Sequence, residues 1–87
     1  MRLRTEGLSW RELDGETILL DLHSSMYLRA NRTGTVILKA LLEDCTREAL
    51  LDRVAETYGM ESGDVAVDVD AFVAELQGRG LLSAPTT

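Results

Sequence analysis

The chain has one cysteine, one histidine and one proline among its 87 residues. A lone cysteine, Cys45, excludes an intrachain disulfide and any multi-cysteine metal site, and His23 alone excludes a two-histidine site. No apolar run approaches the roughly 18 residues needed to span a bilayer. The segment Met1–Gly7 lacks the apolar stretch of a signal peptide, so a cytoplasmic domain is the default expectation. Basic residues are scarce in the second half: residues 40–87 hold three against ten acidic ones, whereas residues 1–39 hold six against five. An acidic half repels nucleic acid and anionic membrane surfaces. It suits either solvated helix faces or an acidic docking surface.

What is present is ordinary for a folded chain: 45% hydrophobic and 28% charged residues argue against disorder. The length allows one core, expected over about residues 8–82 with a frayed tail at 83–87, so residues 1–87 read as a single domain.

The first third reads as a strand meander. Leu8 to Leu13 stops at Asp14-Gly15, the strongest short hairpin signal because a two-residue turn requires positive φ. From Glu16 to Leu22, Ile18, Leu20 and Leu22 alternate with Thr17, Leu19 and Asp21. After the polar turn His23-Ser24-Ser25, a third strand runs from Met26 to Ala30. It has Met26, Leu28 and Ala30 on one face and Tyr27 and Arg29 on the other.

The period changes at Asn31, a good N-cap. A helix to about Glu43 carries Val36, Ile37, Ala40 and Leu41 as its apolar stripe, and Gly34 in its first turn marks a close backbone approach. Thr46 caps a second helix, Arg47 to Tyr58, with Cys45 and Leu50 placed for a hydrophobic staple and Gly59 as its left-handed stop. Its buried face is Leu50, Leu51, Val54, Ala55 and Tyr58. Ser62 or Asp64 opens a third helix to about Gln77, with Val65, Val69, Phe72, Val73 and Leu76 at helical spacing. The expected class is therefore α+β, a winged-helix-like arrangement of a three-stranded antiparallel meander followed by three helices.

Catalysis finds little support. His23, Ser24 and Ser25 are neighbours on a tight turn and form no nucleophile–base pair held by a third group. Cys45 fits the staple better than a reactive thiol. Asp64, Asp68 and Asp70 lack the glycine and terminal glutamate of a calcium loop, and suit the positive end of a helix dipole. No glycine-rich phosphate loop follows a strand. No catalytic residue, cofactor site or metal site is expected. A winged helix would read DNA with its third helix, but that helix carries Asp64, Asp68, Asp70 and Glu75. No pair of aromatics stands on a strand to stack RNA bases. What remains is a binding module. The exposed edge of the third strand, mildly guarded by Arg29, lies beside a helix whose apolar surface, widened by Val67, Ala71 and Ala74, exceeds one contact. Such an edge accepts an extended peptide as an added strand.

The sequence resembles the PqqD-like family, the precursor-peptide recognition elements of ribosomal peptide natural-product pathways, and most closely its free-standing versions from lasso-peptide gene clusters. The matching residues are the hairpin Trp10 to Leu22, the run Tyr27 to Gly34 leading into Val36 to Leu42, and the helix ending Phe72 to Leu82. The resemblance implies a non-catalytic domain that binds a leader segment as a fourth strand between the third strand and the third helix. It implies a separate cysteine-protease-like leader peptidase and an ATP-dependent lasso cyclase as partners, while the acidic second half argues against nucleic acid and membrane. Carried onto this chain, it implies leader contacts from Met26, Tyr27, Leu28, Arg29 and Ala30 on the strand. On the helix it implies Val69, Phe72, Val73 and Leu76, with Asp68 meeting a basic leader residue. Two other readings stand beside it: the partner of a radical enzyme in pyrroloquinoline quinone synthesis, and a small transcription factor.

Overall fold

Asp14 and Gly15 both adopt positive φ, 54° and 79°, and make the two-residue turn expected of Asp-Gly. That turn joins β2 (Leu8–Leu13) to β3 (Glu16–Asp21), and β4 (Met26–Ala30) completes an antiparallel sheet in the order β2-β3-β4. The computed structural model describes residues 1–4 and 6–83. Three helices follow the sheet: α1 (Arg32–Ala40), α2 (Arg47–Tyr58) and α3 (Ser62–Gly78). The α+β class, the meander and the three helices are those expected from the residue pattern.

The chain also forms a small second sheet. Arg2–Leu3, as β1, pairs antiparallel with Leu82–Ser83, as β5. Leu3 is buried in the core, and its N–H donates to the Leu41 carbonyl at 2.7 Å. Two-residue strands carry too little pattern to be seen in sequence. The apolar core therefore includes residues before 8, and Ser83 is in a strand rather than in a tail; 84–87 lie outside the described residues.

The face of β3 is the opposite of the one its apolar residues suggest. Thr17 and Leu19 point into the core, and Ile18 and Leu20 are exposed on the outer face, as is Leu22 just beyond the strand. The register explains it. Leu19 is paired with Trp10 on one side and Leu28 on the other, so the three form the sheet's inner row. Thr17 can sit inside because its hydroxyl shares a 2.8 Å hydrogen bond with Thr35 of α1, which satisfies both buried groups. On β4, Leu28 and Ala30 are buried as expected, whereas Met26 is exposed.

The helices begin close to their expected caps. Asn31 accepts the Gly34 N–H at 2.9 Å, and Thr46 accepts that of Ala49 at 3.1 Å. The first helix stops at Ala40, earlier than expected, because Leu41 and Leu42 turn to meet the N-terminal segment. Tyr58 is exposed rather than buried, its hydroxyl accepting from Thr33 at 3.3 Å. The third helix packs chiefly on the second. Arg47 clamps Asp70 across that contact with two 2.8 Å bonds.

Candidate leader-binding groove

In an extended strand the N–H and C=O of one residue point the same way, and direction alternates along the chain. Two bonds fix the alternation here. The Leu22 N–H donates to Gly7 at 2.8 Å, so even-numbered residues of β3 turn toward β2. The Ser25 N–H donates to Asp21 at 2.8 Å, so odd-numbered residues turn toward β4. With Asp21 paired to Met26, Leu19 to Leu28 and Thr17 to Ala30, the backbones of Met26, Leu28 and Ala30 are spent inside the sheet. Only Tyr27 and Arg29 turn their N–H and C=O to the open edge. The expectation that the whole span Met26–Ala30 offers main chain narrows to these two residues.

The wall across from this edge is built by α3. Val69 and Leu76 are 1% and 0% exposed and belong to the core. They hold the helix from behind and cannot touch a peptide lying in the groove, which corrects their expected role as contacts. The reason is helical geometry: with Val65 they form the one stripe that faces inward. Phe72 and Val73 are half-buried at the boundary of that stripe. Asp68 is exposed and lines a cavity of about 390 Å³ between the start of α1 and α3. Asn31, Thr33 and Gly34 form one side of that cavity and Ala71, Phe72 and Glu75 the other. The ring of Phe72 lies directly on Gly34. Gly34 is thus the close approach that its unusual place in a helix suggested.

A second cavity of about 290 Å³ opens beside Tyr27 and is mainly apolar, with Leu19, Met26, Leu28 and Leu81 as its floor and sides. Arg79 and Asp21 stand at its rim. Glu75 of the first cavity and Arg79 of the second, one helical turn apart, form a 3.2 Å ion pair. Arg79 also donates from Nη1 to the Tyr27 carbonyl at 3.2 Å. Asp21 is held by Arg4 at 3.0 Å and accepts the His23 N–H at 3.0 Å. Burial pushes the Asp21 carboxyl up, but the His23 amide, Arg4 and Ser24 outweigh it, and the group lies below its ordinary value.

Arg79, Glu75 and Asp21 were not anticipated as groove residues. Arg79 falls between Gly78 and Gly80, where the pattern announces only a helix end. Its spacing of seven from Phe72 was the available signal, since residues two turns apart share a helix face. Arg29, expected to guard the edge, instead reaches over the outer face to Glu16 at 3.3 Å. The His23 ring packs on Gly7, and the Cys45 Sγ lies 3.4 Å from the Thr46 carbonyl.

No curated protein sequence matches the chain. Two solved structures do resemble it. One, described as TbiB1 in complex with the TbiA(beta) leader peptide, superposes with a TM-score of 0.83 at 23% identity, covering 100% of both chains, and at that identity speaks to the fold alone. The other, described as lasso peptide synthetase B1 complexed with the leader peptide, gives a TM-score of 0.77 at 28% identity over 95% of this chain and 96% of that one. A family model, coenzyme PQQ synthesis protein D (PqqD), matches residues 16–82, which span β3 to the start of β5 and contain every residue of the groove, and the chain belongs to this family.

Proposed function

We propose that the protein is a non-catalytic recognition element that binds the leader segment of a ribosomally made precursor peptide, of the lasso type, and presents it to a separate leader peptidase. The observation that carries the reading is the edge of β4. Tyr27 and Arg29 turn main-chain groups that the sheet leaves unpaired toward a groove whose far wall is α3. An extended peptide added there gains main-chain bonds from the edge, and its alternate side chains reach the cavities on either side of Arg79. The cavity beside Tyr27 suits an apolar leader residue, and exposed Asp68 suits a basic one. Likeness to a lasso peptide synthetase B1 at 28% identity favours a lasso precursor.

Presentation needs no chemistry in this domain. Holding the leader raises its local concentration at the peptidase. A leader strand on β4 would also enlarge the sheet's outer face, where Ile18, Leu20 and Tyr27 are already exposed. A lasso cyclase is a further partner consistent with the same delivery role. The description of the matched family favours a second reading, service to an enzyme of quinone-cofactor synthesis, which would use the same groove on a different precursor. A transcription factor is disfavoured by the acidic surface of α3.

The test is a titration of isotope-labelled protein with the leader of a precursor encoded beside its gene. Amide exchange should slow at Tyr27 and Arg29. Protection along Leu8–Leu13 instead would assign the leader to the opposite edge of the sheet, and no protection on either edge would remove strand addition.

A further inference from the structure

We propose that Arg79 is a latch on the open edge of β4, holding in the free protein the main-chain acceptor that a leader strand must take. The proposal rests on the strand-addition reading and adds to it a residue that regulates access.

Among the groups Tyr27 turns to the edge, its carbonyl is the acceptor for one N–H of an added antiparallel or parallel strand. That carbonyl is occupied: Arg79 Nη1 donates to it at 3.2 Å. The guanidinium is fixed from the other side by Glu75, whose Oε1 lies 3.2 Å from Nη2. Glu75 is four residues earlier on the same helix, so the pair is braced by α3 itself rather than by the sheet. The reach across the groove is thus made by one side chain anchored to the wall opposite the edge. Arg79 is also partly exposed, so it can swing off the carbonyl toward solvent without unfolding anything and keep its contact with Glu75.

Two consequences follow from this placement. An unprotected strand edge invites pairing with a second copy of the chain, and a charged side chain across it prevents that. The guard here is Arg79, because Arg29 is directed to Glu16. Second, a leader binds only the fraction of molecules in which the latch is open, so the latch lowers the apparent association rate and affinity by that fraction. Once a leader is bound, the latch is already displaced and does not affect its escape.

The experiment compares wild-type protein with Arg79→Ala by two readouts. The first needs no leader: the carbonyl ¹³C resonance of Tyr27 should shift in Arg79→Ala, with its neighbours Met26 and Leu28 little changed. An unmoved Tyr27 resonance overturns the latch outright. The second uses as probe the leader of the precursor encoded beside the gene, as in the titration above. Arg79→Ala should raise the association rate roughly three- to tenfold, the range for a charge-assisted bond at an exposed site, with the dissociation rate unchanged. An unchanged association rate overturns the latch while leaving strand addition in place. A faster dissociation also overturns it, because Arg79 would then be holding the leader. Failure of wild type and variant alike to bind would overturn strand addition, and the latch with it. Thermal unfolding of both proteins should match within a few degrees, since the side chain is partly exposed and its ion pair with Glu75 is a surface one.

Discussion

Gly34 lies under the Phe72 ring with no room for a methyl group between them. A Cβ at Gly34 would sit 3.1 Å from Cε1 and Cζ of that ring and 2.9 Å from the Cβ of Ala30. Two effects oppose each other in Gly34→Ala. Helix propensity gains about 1 kcal/mol. Overpacking against a ring and a strand Cβ costs about 1–3 kcal/mol, and the Ala30 Cβ cannot rotate away. The clash should prevail, with a net loss of about 1 kcal/mol in a urea titration and weaker leader binding as β4 and α3 are pushed apart. A more stable variant would mean that the groove walls yield freely.

Phe72 and Val69 should separate binding from folding. Phe72 is half-buried and lines the cavity beside Asp68, so Phe72→Ala should cost about 2 kcal/mol of stability, below the range for a fully enclosed phenylalanine. It should also weaken leader binding by roughly 2 kcal/mol, because a wall of the groove is lost. Val69 is enclosed, and Val69→Ala should lower stability by about 1–3 kcal/mol while the folded fraction binds leader unchanged. Unfolding and affinity measured on the same samples decide it; equal losses of affinity in both variants would sink the division.

Much of the fold was legible in the residues, because local chemistry dictates it. Asp14-Gly15, Asn31, Thr46 and Gly59 each solve a backbone problem at a fixed place, and the elements begin and end near them. The face of β3 was misleading because a polar residue, Thr17, lies inward wherever a partner such as Thr35 exists, and that partner is 18 residues away. The site was half legible. An edge strand beside an apolar helix was visible as a pattern. Which backbone groups face out depends on register, and which of Val69, Phe72, Val73 and Leu76 are core depends on helix rotation, neither of which is local. Arg79 was hidden because its use is a contact with a carbonyl 52 residues away.

The Arg47–Asp70 clamp should give the fold an acid limit. The hydrogen bonds from Arg47 hold the Asp70 carboxyl below its ordinary value, and the same bonds raise Arg47. A carboxylate with a depressed folded pKa contributes stability above its unfolded value of about 4, and that contribution is lost as pH falls through the folded value. The difference in unfolding midpoint between wild type and Asp70→Asn should therefore be present at pH 6, shrink below about pH 4 and vanish in stronger acid. It should also shrink in high salt, because the pair is exposed. Asp70→Asn should keep some acid sensitivity of its own, since Asp21 is lowered too and titrates in the same direction. A midpoint difference that persists at pH 2 would show that the clamp acts through packing rather than charge.

Proline scanning of β4 tests the alternation most directly. At Leu28 the N–H is directed to Leu19 within the sheet. Leu28→Pro removes that donor from an interior ladder and should destabilise the fold by about 1–3 kcal/mol or more, so loss of leader binding in this variant would say nothing about the groove. At Arg29 the N–H faces the open edge, where proline is tolerated in strands. Leu28, the residue before it, is already extended, as a residue preceding proline prefers to be. Arg29→Pro should therefore retain the fold, apart from the exposed ion pair with Glu16, which contributes little. It should nevertheless abolish strand addition, because one of the two outward N–H donors is gone. Arg29→Ala is the necessary companion: it removes the same side chain but keeps the donor, and should bind leader nearly as wild type does. The comparison reads folding by circular dichroism and binding by calorimetry on all three variants. If Arg29→Pro is folded and still binds leader with wild-type affinity, the peptide is not held by the edge of β4. If Arg29→Pro unfolds while Leu28→Pro does not, the alternation of the strand is the reverse of the one described.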